Sequence, residues 1–150
     1  MLNLDLESLL RCKKIVICCG SGGVGKTTVS AALGVQAALL GKKVLTLTVD
    51  PAKRLADSLG LSELGNQEAA VPEERFLRHG KNLKGSLHAM MLDTKRTFDE
   101  LIERYAPNED VARNIMHNQF YQHLSSAMTG SHEYLAMEKL YQIHLEGRYD

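Results

Sequence analysis

The sequence predicts an α/β fold: a parallel sheet flanked by helices, with a helical subdomain in the second half of the chain. Three observations carry that expectation. An apolar, β-branched run at residues 13–19 leads through a glycine-rich stretch into an Ala- and Leu-rich segment that ends at Gly41, the succession strand, loop, helix. A second apolar run, residues 42–49, follows at once, and strand, crossover helix and strand make a parallel βαβ unit. Beyond Pro107 the apolar residues recur at helical spacing, so the remainder is expected to be mainly helical.

Each element has a local reason. Residues 13–19 read KKIVICC and residues 42–49 read KKVLTLTV, continuous rather than alternating runs, as strands buried on both faces require. The helix from Val29 to Leu40 closes with Gly41, the residue that tolerates the left-handed conformation past a helix end. A short helix from Ala52 to Leu59 is expected next, with Asp50 as N-cap, Pro51 at the first helical position and Gly60 beyond the end. From Ser62 to Lys84 the composition turns polar, with Gly65, Pro72 and Gly80, and mostly loop is expected. Residues 86–92, SLHAMML, form a third strand. Asp93 or Thr94 then caps a helix to about Tyr105, with Phe98, Leu101, Ile102 and Tyr105 on one face.

Pro107-Asn108 breaks that helix. Val111, Ile115, Phe120, Leu124 and Met128 continue at helical spacing, and after Gly130-Ser131 a further helix carries Leu135, Met137, Leu140, Tyr141 and Leu145. Such stripes pack a helical layer against a sheet; alternatively Met116, Phe120 and Met128 line an adaptable apolar groove, since methionine suits varied apolar partners.

With 150 residues, 44% of them hydrophobic, the chain can bury one core. A single domain over 1–150 is expected: residues 1–60 hold the glycine loop and Asp50, 61–92 a loop and the third strand, and 93–150 are mainly helical. Basic and acidic residues balance at 18 each, so no global field draws the protein to nucleic acid, and no such partner is expected. The first residues are acidic where a signal peptide would be basic, and no apolar run approaches a membrane span, so a cytoplasmic protein is expected. Cys12, Cys18 and Cys19 make no disulfide framework and no zinc spacing. Cys18 and Cys19 would point to opposite faces of a strand, and buried structural thiols are expected. His117 and His123 would lie on different sides of a helix, so no metal site is built from them.

The most specific stretch is Gly20-Ser21-Gly22-Gly23-Val24-Gly25-Lys26-Thr27-Thr28, which fits the phosphate-loop pattern G-x-x-x-x-G-K-[ST]. Its glycines let the backbone N–H groups converge on phosphate oxygens without Cβ clashes. Lys26 reaches the β- and γ-phosphates, Thr27 offers a hydroxyl to Mg²⁺, and the following helix directs its positive end at the same anion. All nine residues, Gly20 to Thr28, are candidate contacts for ATP and Mg²⁺, within a phosphate-loop NTPase fold.

One strand later stands Asp50-Pro51-Ala52-Lys53-Arg54-Leu55-Ala56-Asp57. The glycine loop together with this D-P-A-x-x-L-x-D segment resembles the ArsA family of phosphate-loop ATPases, which includes arsenite-pump ATPases and ATPases that target tail-anchored membrane proteins. Leu92-Asp93 with Thr97-Phe98-Asp99-Glu100-Leu101, and Gly130 to Glu133 without the family's proline, agree more loosely. The resemblance implies an ATP-hydrolysing switch in which Lys26 stabilises the phosphates, Thr27 ligates Mg²⁺ and Asp50 orients or deprotonates the attacking water. Asp57 also matches, with a role in helix packing or polar contacts. It implies a dimer, with itself or with a related subunit, and a hydrophobic client or membrane-protein partner. It further implies that an apolar strand and a second switch follow Asp150, so that the chain is an N-terminal half with an incomplete sheet. A partitioning or positioning ATPase of the ParA and MinD type, and a nucleotide-binding regulatory module with little hydrolysis, are the alternatives.

The family's loop commonly begins with a lysine that reaches the partner's phosphates in trans, as an arginine finger does. Ser21 holds that position here and carries no charge. If that charge is what hydrolysis lacks, Ser21→Lys in the parent protein raises ATP turnover measured by phosphate release; an unchanged rate removes the argument.

Overall fold

The computed structural model describes residues 5–49, 54–127 and 132–150. Its elements are α1 (Leu6–Cys12), α2 (Lys26–Leu39), β1 (Lys43–Thr48), α3 (Arg54–Leu59), β2 (Ala69–Ala70), α4 (Glu74–Leu77), β3 (Ser86–Met91), α5 (Thr94–Tyr105), α6 (Glu109–His117), α7 (Gln119–Ala127) and α8 (His132–Glu146). Side-chain caps set several of their starts. The Asp5 carboxylate accepts from the Glu7 N–H at 3.2 Å, Asp93 from the Arg96 N–H at 3.0 Å, and Asn108 from the Val111 N–H at 2.9 Å, so each satisfies a donor that the helix leaves unpaired. Past the end of α2, Gly41 takes φ +101°, the left-handed turn expected of it.

The sheet runs in the order β1, β3, β2. β1 and β3 are parallel, in register from Lys43 beside Ser86 to Thr48 beside Met91. β2 pairs antiparallel with β3, within a stretch expected to be loop; with α4 it covers the sheet where Val71 and Phe76 are buried. The core lies between the sheet and α2, α3 and α4: Ala31 and Ala38, Leu55 and Leu59, Val71 and Phe76, Leu87 and Ala89. α2 sits unusually close to β1 at Gly34. A Cβ built there would meet Thr46 Oγ1 well inside van der Waals contact and Leu87 Cδ1 at 3.2 Å, so only glycine permits the approach.

The strand expected over residues 13–19 is not formed. That segment joins no sheet among the described residues, and Ile15, Val16 and Ile17 are exposed, Ile17 by 64%. A strand needs a bonded neighbour, and between this segment and β1 lies a cavity of about 910 Å³ lined by residues 13–18 on one side and by Val44, Leu45 and Thr46 on the other. β1 therefore has one bonded edge and one facing the cavity. The N–H of Ser86 donates to the Lys42 carbonyl and that of Leu92 to the Thr48 carbonyl, so even-numbered residues of β1 bond β3. By the alternation of a parallel ladder, the backbone groups of Lys43, Leu45 and Leu47 face the cavity.

The helical layer also differs from expectation. α6, α7 and α8 gather on α5 rather than on the sheet. On α8 the buried stripe is Leu135, Lys139 and Ile143, while Met137, Tyr141 and Leu145 are exposed. Lys139, only 9% exposed, is tolerated because its ammonium meets Glu100 at 2.7 Å, and the same carboxylate accepts from Asn66 Nδ2 at 2.9 Å; a buried charge persists when paired. On α5, Phe98, Leu101 and Ile102 are half-buried but Tyr105 is exposed, as is Phe120 on α7, by 75%. Met128 and Gly130-Ser131 lie outside the described residues.

The chain's last residues close back on the sheet. Arg148 donates two hydrogen bonds to Glu68, both at 2.6 Å, and Tyr149 Oη donates a third at 2.6 Å. Burial alone pushes the Glu68 carboxyl up, but the hydrogen bonds from Arg148 and Tyr149 and the charges of Arg148 and His88 outweigh it and leave the pKa below its ordinary 4.5. Glu146, which also bonds Arg148, is the other carboxylate facing this cluster.

Two outcomes are expected. Gly34→Ala gains about 1 kcal/mol of helix propensity, but crowding against Thr46 and Leu87 costs more, roughly 1–3 kcal/mol; the thermal midpoint falls, and an unchanged midpoint would mean that α2 yields freely. Because the folded Glu68 pKa is depressed, the unfolded chain binds more protons as the medium acidifies, and Glu68's contribution is present above pH 4.5 and lost as pH falls through its folded value. Chemical denaturation at stepped pH therefore shows a fall in stability below 4.5 that Glu68→Gln reduces.

Candidate functional site

The glycine loop is shaped by backbone conformation before any side chain contributes. Gly23 and Gly25 adopt φ +80° and +88°, left-handed values that side chains resist. Gly25 is also the N-cap of α2, and it provides no side-chain hydrogen bond to the helix; no acidic residue occupies the first turn. The first N–H groups of a 14-residue helix thus lack a side-chain acceptor and present the positive end of its dipole to the loop. Lys26, the first helical residue, folds back so that Nζ donates to the Ser21 carbonyl at 2.8 Å. The ammonium is held over the concave side of the loop.

Gly22, Gly23, Gly25, Lys26, Thr27 and Thr28 line one end of the 910 Å³ cavity. The remaining loop residues are arranged differently. Gly20, Ser21 and Val24 do not line it; Val24 is exposed, and its Cγ2 lies 3.1 Å from where a Gly20 Cβ would stand. Asp50, with Pro51, Ala52 and Lys53, lies outside the described residues. Past that gap, Arg54, Asp57 and Ser58 of α3 also line the cavity. The spacing of D-P-A-x-x-L-x-D contained this placement: Leu55, Ala56 and Leu59 are buried, which turns the intervening Arg54, Asp57 and Ser58 away from the core. Asp57 is exposed at the cavity wall, so helix packing is not its role.

The donor set suits a triphosphate with its divalent cation. Left-handed glycines, a helix N-terminus without a carboxylate, one ammonium and a threonine hydroxyl converge at the same end, and each favours phosphate oxygen or a hard cation. The cysteines do not behave as buried structural thiols. Cys12, at the end of α1, and Cys19 are exposed and Cys18 is half-buried; for Cys18 and Cys19 this follows from residues 13–19 forming no strand, and Cys18 alone of the three lines the cavity. Among the described residues no group of His, Cys, Asp and Glu could hold a metal ion, and no helix is long and apolar enough to cross a membrane.

The chain is similar to several proteins whose names state an ATPase. It is 40% identical over 92 residues to a protein of Aquifex aeolicus named as arsenical pump-driving ATPase 1, covering 61% of this chain and 20% of that protein. It is 35% identical to ATPase GET3 of Malassezia globosa, over 67% of this chain and 26% of that protein, and 31% identical to ATPase get3 of Schizosaccharomyces japonicus, over 90% and 38% respectively. The chain thus spans well under half the length of each. The family model of the anion-transporting ATPases matches residues 13–150, a stretch that takes in the glycine loop, all three strands and the helical layer, and the chain belongs to this ArsA ATPase family.

Proposed function

We propose that the chain is the nucleotide-binding portion of an ATP-hydrolysing switch. The observation that carries this reading is the convergence of Gly23, Gly25, the N-terminus of α2 and Lys26 on one end of the cavity. ATP bound there would supply the phosphoric anhydride, and Mg²⁺ would neutralise part of its charge. Lys26 would leave the Ser21 carbonyl for the β- and γ-phosphate oxygens, an exchange of a neutral acceptor for an anionic one that strengthens the bond. The Thr27 hydroxyl would hold Mg²⁺, and the backbone N–H groups of Gly22 to Thr28 would cradle the phosphates. Asp50 would orient the attacking water and take its proton, which is most of what phosphoryl transfer asks of a protein besides charge stabilisation.

Nucleotide state would then open and close a dimer, formed with a second copy or a related subunit, and so regulate a hydrophobic client or membrane-protein partner in the cytoplasm. Exposed Tyr134, Met137, Tyr141 and Leu145, at helical spacing along α8, support an apolar partner, since clustered exposed apolar groups mark interaction surfaces. Ser21 favours a second reading, a nucleotide-binding module with little hydrolysis, because the uncharged loop position contributes no cation of its own.

Lys26→Ala in the full-length parent is expected to weaken binding of magnesium with a non-hydrolysable ATP analogue at least about tenfold, the loss of one charge-assisted contact. Calorimetric titration checks it, and an unchanged affinity overturns the nucleotide reading.

A further inference from the structure

Residues 146–150 are held against the sheet by more contacts than stability needs. The Arg148 guanidinium grips Glu68 with two hydrogen bonds at 2.6 Å, is held in turn by Glu146 at 2.9 Å through Nε, and lies 5.5 Å from the Tyr149 ring centroid. Tyr149 donates to Glu68 at 2.6 Å and stands edge-on to His88 of β3, centroids 5.6 Å apart at 68°. Arg148 is 52% exposed along its side chain, so the ion pair by itself contributes little to folding. A bidentate fork with a third hydrogen bond contributes direction instead.

That direction has a visible result. Asp150 N–H donates to the Lys43 carbonyl at 3.0 Å, and its Oδ2 accepts from the Lys43 N–H at 2.8 Å. Lys43 is the first residue of β1 whose backbone faces the cavity, so Asp150 occupies the start of a ladder on the edge that β3 leaves bare, and it lines the cavity there. Glu68, just before β2, is thus linked through Arg148 and Tyr149 to a pairing on β1, two strands away in the order β1, β3, β2.

We propose that Glu68 is a positioning residue, the anchor of a latch through Arg148 and Tyr149 that sets the place and register in which the chain meets the cavity-facing edge of β1. This role concerns the far end of the cavity from the glycine loop and does not depend on nucleotide binding.

The test is amide exchange and nuclear Overhauser contacts in the 150-residue chain. Glu68→Ala should abolish the contact between Asp150 and Lys43 and speed exchange of the Asp150 amide by about tenfold, with the interior amides of Ala89 and Met90 little changed, as local opening requires. Arg148→Lys, which keeps the charge but not the fork, should weaken the contact. The proposal is overturned if Asp150 stays on Lys43 in Glu68→Ala or if all amides accelerate together. Should Glu68→Ala fail to fold, Tyr149→Phe, which removes one hydrogen bond, decides: a weakened contact in the folded variant supports the latch, and an unaltered one overturns it.

Discussion

The half-satisfied backbone of β1 is the constraint on which most of this structure depends. One edge is bonded along its length to β3, and the other faces a cavity of about 910 Å³. Backbone N–H and C=O groups are obligatory hydrogen-bonding groups, so that edge governs what surrounds it. The segment 13–18 stands across the cavity as a wall without joining the sheet. Leu45 and Leu47, in an apolar strand, remain only half-buried. Asp150 pairs with Lys43, whose backbone faces the cavity.

The glycine loop depends on the same strand at one remove. Lys26, Thr27 and Thr28 belong to the N-terminus of α2, and α2 is placed by the close approach of Gly34 to Thr46 and Leu87. A larger residue would push the helix off the sheet and carry Lys26 and Thr27 with it. The geometry at the loop is thereby tied to side chains a dozen and more residues away in the sequence, whereas the loop's own shape is local: left-handed Gly23 and Gly25 and the return of Lys26 to Ser21.

The helical layer is joined to the rest chiefly by polar contacts. Glu100 on α5 takes Lys139 of α8 and Asn66 of the loop before β2, and Asn66 accepts from the Asp93 N–H at 3.1 Å. These groups satisfy one another where neither water nor apolar packing would, and a satisfied polar network fixes orientation more narrowly than apolar contact does. It explains why α8 turns Lys139 inward and Met137, Tyr141 and Leu145 outward, the reverse of what hydrophobicity alone assigns.

What the sequence determined by itself was local. The glycine-loop pattern, the capping of α5 by Asp93, the end of α2 at Gly41 and the strands β1 and β3 follow from residue chemistry within a few positions, because turns, caps and buried runs are short-range. That Gly22, Gly23, Gly25, Lys26, Thr27 and Thr28 gather on one cavity follows for the same reason from the loop they share. Tertiary structure decided what needs a partner: whether residues 13–19 pair, which face of α8 is buried, that Ala69–Ala70 forms a strand, and that Cys19 is exposed. The physical reason is common to all four. A strand forms only where hydrogen bonds are returned, and a charge is buried only where an opposite charge meets it; both conditions lie in residues far along the chain, where no short motif records them.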